Sequence, residues 1–374
     1  MRVLSLELAN FRNYAALRLE PPEGACVLVG ANAQGKSNLL EALGMLAIGK
    51  SFRAAREVDL IGTGAPSASV SARVRTRHGE VKCACVISRA GDGARKRFLR
   101  NGRAVPYGQF LGGVNAVTFV PADLQLIAGP ASLRRRLLNT ALSQASRGYY
   151  RDLATYAAVL AQKNAFLRSA ESGNRDLLST YNDQLASAGA RLVLARAGYV
   201  RRLAREAADA HANWVGPLDA FDVAYQPSPP QPDESPGAVE RALRGAFDAM
   251  AQAELARRLT LVGPHRDDLA LVLGGRALAR FGSQGQQRTA VLAIKAGEYA
   301  LARRAAGEAP LLLLDDVLSE LDAARRSAFF SSVAGFEQAF ISATEMSGPL
   351  RLLAAHVYEV RAGQLDASSV ESGV

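Results

Sequence analysis

The chain has 374 residues, 49% hydrophobic and 21% charged, ordinary globular usage that suffices for one large or two medium domains with a core. Its formal net charge of +10 favours a polyanionic partner, nucleic acid first. Three cysteines make no zinc-type double pair, no window offers the roughly 18 unbroken apolar residues of a membrane span, and the first residues lack the charged start and apolar run of a secretion signal. The expectation is a cytoplasmic protein with reduced thiols and no membrane partner.

Met1 to about Glu20 alternates polar and apolar residues as a strand does, and Pro21-Pro22-Glu23-Gly24 ends it in a turn. Cys26-Val27-Leu28-Val29 is a second apolar strand leading into a glycine-rich loop, and Lys36 to about Ile48 has helical spacing. From about Ser67 to Val120 the pattern is strand-rich. There Val70, Ala72, Val74 and Thr76 alternate with Ser71, Arg73, Arg75 and Arg77, which predicts three arginines on one face. Ala131 to about His211 is helical. Gln226 to Gly237 is a proline-rich loop, a helix covers about Ala238 to Leu255, and strands are expected at Leu259–Val262 and Leu269–Leu273. Leu311–Leu314, flanked by helical stretches, fits a buried parallel strand. The order predicts an α/β nucleotide-binding head split by a helical insert: head residues 1–125, an arm over 126–255, and head residues 256–374.

Three segments carry chemistry. Gly30-Ala31-Asn32-Ala33-Gln34-Gly35-Lys36-Ser37 matches the P-loop pattern G-x-x-x-x-G-K-[ST] at every fixed position. A strand precedes it and a helix follows, so its backbone N–H groups can form an anion nest at a positive helix start. Lys36 is expected to neutralise β- and γ-phosphate charge and Ser37 to hold Mg²⁺, with Asn38 next on the helix. Leu311 to Asp315-Asp316 is a buried strand ending in two carboxylates, Asp315 to order the metal shell and Asp316 to polarise an attacking water. Phe281-Gly282-Ser283-Gln284-Gly285-Gln286-Gln287-Arg288 is a polar, glycine-containing turn before another helix, a second anion-binding start. One nucleotide needs only one such site per subunit, whereas two subunits facing each other can use both. The predicted catalytic set is therefore Lys36, Asp315 and Asp316, with the turn holding Ser283, Gly285 and Gln286 as the candidate cap on a partner's γ-phosphate.

From Arg73 to Arg103 the chain sets Arg73, Arg75, Arg77, Lys82, Arg89, Arg95, Lys96, Arg97, Arg100 and Arg103 against only Glu80 and Asp92. With Phe98 the one aromatic among them, this reads as a phosphate-tracking surface for duplex DNA, with Arg73, Arg75, Arg77, Arg95, Lys96 and Arg97 as candidate contacts. At ~100° per residue, Arg134, Arg135 and Arg136 fan over a helix, so at least one is expected to face protein or nucleotide. His265, Asp267 and Asp268 do not converge by spacing as a metal cluster would.

The P-loop, Ser283-Gln-Gly-Gln-Gln, Leu311–Asp316 and Ser319-Glu-Leu-Asp322 stand in the order of the Walker A, signature, Walker B and D-loop motifs of ABC-type ATPases. The glutamine-rich signature resembles the RecF family. So do Leu8-Ala-Asn-Phe-Arg-Asn-Tyr14, Phe119-Val-Pro-Ala-Asp-Leu124, Arg134-Arg-Arg-Leu-Leu138, Gln162 to Arg168 and Gly263-Pro-His-Arg-Asp-Asp268, so the resemblance covers nearly the whole chain. It implies ATP and Mg²⁺ as cofactors, an ATP-dependent head-to-tail homodimer on double-stranded DNA or its junctions with single strands, and slow hydrolysis. It further implies work with RecR and RecO to load RecA in recombinational repair. Arg12 and Asn13 are expected near the nucleotide, Asp322 in the dimer interface and Thr344 as a γ-phosphate sensor. Two departures stand out: Asp316 replaces the usual glutamate base with a side chain one methylene shorter, and Ser342-Ala-Thr344-Glu stands where many ABC proteins have a histidine. The rival readings are a Rad50/SMC-like head, disfavoured by a short insert without lasting heptads, and a transporter ATPase subunit, disfavoured by the basic surface and altered signature.

Overall fold

The computed structural model describes residues 1–169, 174–216, 219–230, 235–317, 321–346 and 348–368. The chain divides into two compact units: Met1–Leu124 with Val291–Val374, and Gln125–Ala290.

The first unit contains two six-stranded sheets. One runs β2-β1-β4-β5-β6-β7, from β1 (Arg2–Phe11), β2 (Tyr14–Leu19), β4 (Ser67–Thr76), β5 (Gly79–Ala90), β6 (Gly93–Arg100) and β7 (Arg103–Val105), antiparallel throughout. The other runs β15-β14-β3-β13-β12-β8, from β3 (Gly24–Val29), β8 (Ala116–Phe119), β12 (Leu311–Asp315), β13 (Gln338–Ala343), β14 (Ala354–Arg361) and β15 (Gln364–Ser368). Here every pair is parallel except the β14–β15 hairpin. Strand β12 is parallel to neighbours on both sides, which is why Leu311–Leu314 reads as an unbroken apolar run.

Helix α1 (Lys36–Ile48) follows the glycine-rich loop, and its apolar residues share one buried cluster with residues of both sheets. Packed on more than one side, it is apolar nearly all round and carries no clear amphipathic stripe. A short α2 (Tyr107–Phe110) precedes β8. Because β3, β13 and β12 are parallel neighbours, their carboxyl ends fall on one edge of the sheet, where open α/β sheets form their ligand crevice.

The second unit is mostly helical: α3 (Ala131–Ala145), α4 (Arg147–Arg168), α5 (Arg175–Val215) and α6 (Pro236–Arg257), with the antiparallel sheet β11-β10-β9. These strands are β9 (Phe221–Gln226), β10 (Asp268–Leu273) and β11 (Arg276–Ala277); α7 (Leu278–Phe281) follows, and α8 (Gln284–Ala306) begins in this unit. The expected end of the helical insert at residue 255 is corrected, since residues 256–290 belong with the helices. Strand β10 pairs with β9 along its whole length, and the two acids at its start are anchored by helical arginines. Arg196, 2% exposed, donates to Asp267 Oδ2 at 2.7 Å and to Pro264 O at 2.6 Å. Arg134 grips Asp268 through two bonds of 2.6 and 2.9 Å. Such buried pairs break at a cost of several kcal/mol when one partner is removed, so they hold the segment in place.

Leu259–Val262 forms no strand. The Thr260 N–H and hydroxyl both donate to Asn164 Oδ1 and the Leu261 N–H to Glu254 Oε1, so backbone donors a ladder would need go to side chains. Of the arginine triplet, Arg134 is buried, Arg135 donates to Asp267 O at 2.7 Å and Arg136 is exposed.

Candidate functional site: a phosphate cradle backed by a carboxylate

The loop between β3 and α1 turns on residues in unusual backbone regions: Gly30 at φ +155, Ala33 at φ +64 and Gly35 at φ +122. At Gly30 a Cβ would come within 2.5 Å of the Val360 carbonyl oxygen, so no side chain fits between loop and β14. Helix α1 has Gly35 as its N-cap and no side-chain cap; the Asn38 N–H turns back to Gly35 O at 2.9 Å, which leaves the Lys36 and Ser37 N–H groups at the helix start for an anion.

Lys36 is 6% exposed, and its ammonium donates to Gly30 O at 2.5 Å and Ala31 O at 2.8 Å. Burial pushes its pKa down, while the charges of Asp316 and Asp315 pull it back up. The lysine is thus positioned by the loop it serves and faced by two acids.

Those acids arrive through sheet register. Asp315 ends β12 beside Ser342 of β13, and Ser342 in turn stands beside Leu28 of β3. Ser37 Oγ donates to Asp315 Oδ1 at 2.6 Å, and Ser342 Oγ donates to the same oxygen at 2.8 Å. The Asp316 N–H donates to Ser342 Oγ at 2.9 Å, and Asp316 itself takes a left-handed φ of +54. A non-glycine residue held there carries strain of order 1–3 kcal/mol, which is a mark of functional turns. One serine of β13 thereby orients both acids.

The other expected residues separate into two groups. Asn13 joins the cradle: its Nδ2 donates to Gln34 O at 2.9 Å, and Asn38 Nδ2 donates to Asn13 Oδ1 at 2.8 Å. Arg12 points elsewhere, through a bidentate pair of 2.8 and 2.9 Å with Glu41 and a bond to Asp59 O. Glu41 is wholly buried, and a lone acid among the leucines of α1 was the sequence signal for such an ion pair. Thr344 is exposed beyond β13, whereas Ser342, two residues earlier, meets the carboxylate. Tyr14, whose hydroxyl donates to Gly35 O at 3.1 Å, is a cradle residue that sequence reasoning passed over.

Ser283 lies at the start of α8 in the helical unit. The Ser283 N–H donates to Gln286 Oε1 at 2.9 Å and the Gln286 N–H to Ser283 Oγ at 3.3 Å, a reciprocal capping box. Gly285 O accepts the Thr289 hydroxyl at 2.9 Å inside the first turns. Just before the cap, Phe281 is 59% exposed with the Arg280 guanidinium 5.2 Å from its ring centre. Of the D-loop, Ser319 and Glu320 lie outside the described residues. Asp322 caps α9 (Ala323–Ser332), and the Arg325 N–H holds its carboxyl below the usual range.

On the antiparallel sheet, Arg73 and Arg75 of β4 and Arg95 and Arg97 of β6 are exposed. Arg73 stands directly opposite Lys82 of β5, a like-charge pair that an anion would relieve. One expected member turns inward. Lys96 shares the inward face with Phe98, is 12% exposed, donates to Gly49 O at 2.8 Å and pairs with Glu57. Arg77 lies just past the end of β4 and is exposed, its backbone N–H bonded to Glu308 and its Nε to His78.

A P-loop on a parallel sheet, a carboxylate ending the neighbouring strand, a second antiparallel sheet and an intervening helical unit define the ABC-type ATPase heads. A family model for the RecF/RecN/SMC N terminal domain matches residues 2–348. Within that class the chain belongs to the RecF family. It is 40% identical over 349 residues to the DNA replication and repair protein RecF of Symbiobacterium thermophilum, covering 92% of each chain. It is 36% identical over 375 residues to that of an Exiguobacterium species, covering 99% of this chain and 100% of the relative. A solved structure of the recombination mediator protein RecF with ATP in the RecFOR pathway superposes with a TM-score of 0.90 at 30% identity, covering 98% of this chain and 97% of that one. An SMC head bound to the C-winged helix domain of ScpA shares the fold alone, with a TM-score of 0.57 at 17% identity. Among the described residues no helix is long and apolar enough to cross a membrane.

Proposed function

We propose that this protein is an ATP-switched DNA-repair ATPase whose two nucleotide half-sites meet only when two copies pair head to tail. The observation that carries the reading is the hydrogen-bonded set Ser37–Asp315–Ser342 under a P-loop whose lysine is buried against two acids. Hydroxyl and carboxylate oxygens are the donors Mg²⁺ takes, and Ser37 with Asp315 would hold it, so this donor set fits the metal. When bound, Mg²⁺ offsets phosphate charge at the scissile bond.

In this reading the loop N–H groups and Lys36 bind and orient the phosphates of ATP. Asp316 takes the proton of the attacking water, from a turn fixed by Ser342. A carboxylate one methylene shorter than glutamate reaches that water less well, which suits slow hydrolysis used as a timer. The exposed start of α8 at Ser283 then faces the γ-phosphate on a second copy, with Gly285 and Gln286 beside it and Asp322 in the same interface. Pairing completes a basic surface for double-stranded DNA or its junctions, in which Arg73, Arg75, Arg95 and Arg97 track phosphates. Hydrolysis releases it. The similarity to solved structures of a recombination mediator protein RecF in the RecFOR pathway supports a role in that pathway, which in this reading is work beside RecR and RecO to load RecA.

The test measures self-association and duplex binding together, with ATP, with ADP and without nucleotide, on the wild type and Lys36→Ala. Dimerisation and DNA binding that appear with ATP and vanish in the variant are expected. Equal DNA binding in every condition would sink the switch.

A further inference from the structure

The tip of the P-loop is held from outside by a part of the chain that carries no motif. The hairpin of β14 and β15 closes through Ala362 and Gly363, both at positive φ, +48 and +80, between the paired residues Arg361 and Gln364. Two such residues make the mirror-image turn that suits a tight hairpin, for which Asn-Gly or Gly-Gly is usual and alanine is a strained choice. The strain is kept where the turn meets Gln34. The Ala362 N–H donates to Gln34 Oε1 at 2.7 Å, and the Gly363 N–H donates to the Gln34 carbonyl at 2.9 Å. Asn13 Nδ2 donates to that same carbonyl at 2.9 Å. Gly363 fits only as glycine, because a Cβ there would lie 2.4 Å from the Asn13 carbonyl oxygen. The preceding strand also belongs to the frame: Glu359 pairs with Val29, and the Val360 carbonyl closes over Gly30.

A trans peptide is planar, so its carbonyl and the next residue's N–H point in opposite directions. Two donors holding the Gln34 carbonyl outward therefore aim the Gly35 N–H inward, into the anion nest. The Tyr14 hydroxyl does the same for the next peptide, through the Gly35 carbonyl. We propose that the Ala362–Gly363 turn is a positioning element of the nucleotide site, which sets triphosphate affinity by fixing the Gln34–Gly35 peptide. The turn touches no phosphate itself; it acts through Gln34. This rests on the reading of the P-loop as an ATP site.

The experiment titrates a fluorescent ATP analogue, with inorganic triphosphate as competitor, against the full chain as wild type, Gly363→Val, Gln34→Met and the hairpin control Asp366→Ala. Gln34→Met keeps the stem and deletes the acceptor for Ala362, so it carries the test should Gly363→Val fold poorly. Loosening one donor that meets a charged phosphate is expected to weaken both ligands about tenfold or more. For Gln34→Met the melting temperature without nucleotide should stay close to that of Asp366→Ala, a separation that a merely structural turn would not produce; Gly363→Val is expected to melt lower, because its Cβ meets the Asn13 carbonyl. Variants that fold and bind both ligands within twofold of wild type overturn the proposal while leaving the ATP site intact. A wild type that binds neither ligand overturns the ATP reading itself and this inference with it.

Discussion

Helices α1 and α8 both begin at glycine-containing loops, and the two starts are finished differently. Helix α1 starts at Gly35 with no side chain over its amide groups. Helix α8 starts at Ser283, which closes a capping box with Gln286 and satisfies one first-turn amide from within the chain. An uncapped helix start that is framed by Asn13, Tyr14 and the C-terminal hairpin suits the primary anion site of the proposed function. A self-capped start is stable by itself and offers an outside phosphate chiefly a hydroxyl and the end of a helix dipole. The contrast fits a primary nucleotide site and a secondary half-site that engages another copy.

The most damaging change on the primary side is Asp315→Asn, which leaves the strand and its serine bonds in place but removes the charge. Single-turnover hydrolysis is expected to fall about 10²–10³-fold. ATP binding measured in the presence of a chelator should barely move, because the deficit lies in the metal shell; an equal loss there would mean that Asp315 mainly supports the loop.

A smaller effect is expected at the other start. Ser283→Ala should lower stability by about 1 kcal/mol, the usual worth of an N-cap, and weaken ATP-dependent dimerisation about tenfold, the equivalent of one charged hydrogen bond. Binding of ATP to the dilute monomer should match wild type. If monomer binding falls as well, Ser283 serves its own subunit and the contrast between the two starts collapses.

The gentlest test separates two neighbours on β6. Arg97→Ala should reduce the slope of log affinity for duplex DNA against log salt by about 1, the share of a single arginine at a phosphate. Lys96→Met should leave that slope alone and instead cost about 1 kcal/mol of stability, since Lys96 pairs inward with Glu57 and Gly49. The reverse result would place the DNA surface on the other face of the sheet.

Much of the site was legible because its chemistry is local. Gly30 to Ser37 carries its own strand, turn and helix start, and the run Leu311–Asp316 states both its burial and its acids. The parity that turned Lys96 inward was legible too: two residues on, Phe98 is apolar and on the same face of the strand, and a run of charge hid that alternation. Residues 256–290 were less readable, because β10 joins the helical unit through a distant partner strand and through Arg134 and Arg196.

By itself the sequence determined the ABC-type head and the family and marked the P-loop and the acid pair, since each of those motifs is a run of consecutive residues that reads locally wherever it stands in the chain. Only the tertiary structure decided that Ser342 meets Asp315, that Arg12 belongs to Glu41, and that a hairpin more than three hundred residues away grips Gln34. The serine and hairpin meetings are set by the register of parallel strands, where a shift of one residue would turn each side chain to the opposite face and leave no local trace in the chain; the Arg12–Glu41 pair is set by the packing of α1 against the turn after β1.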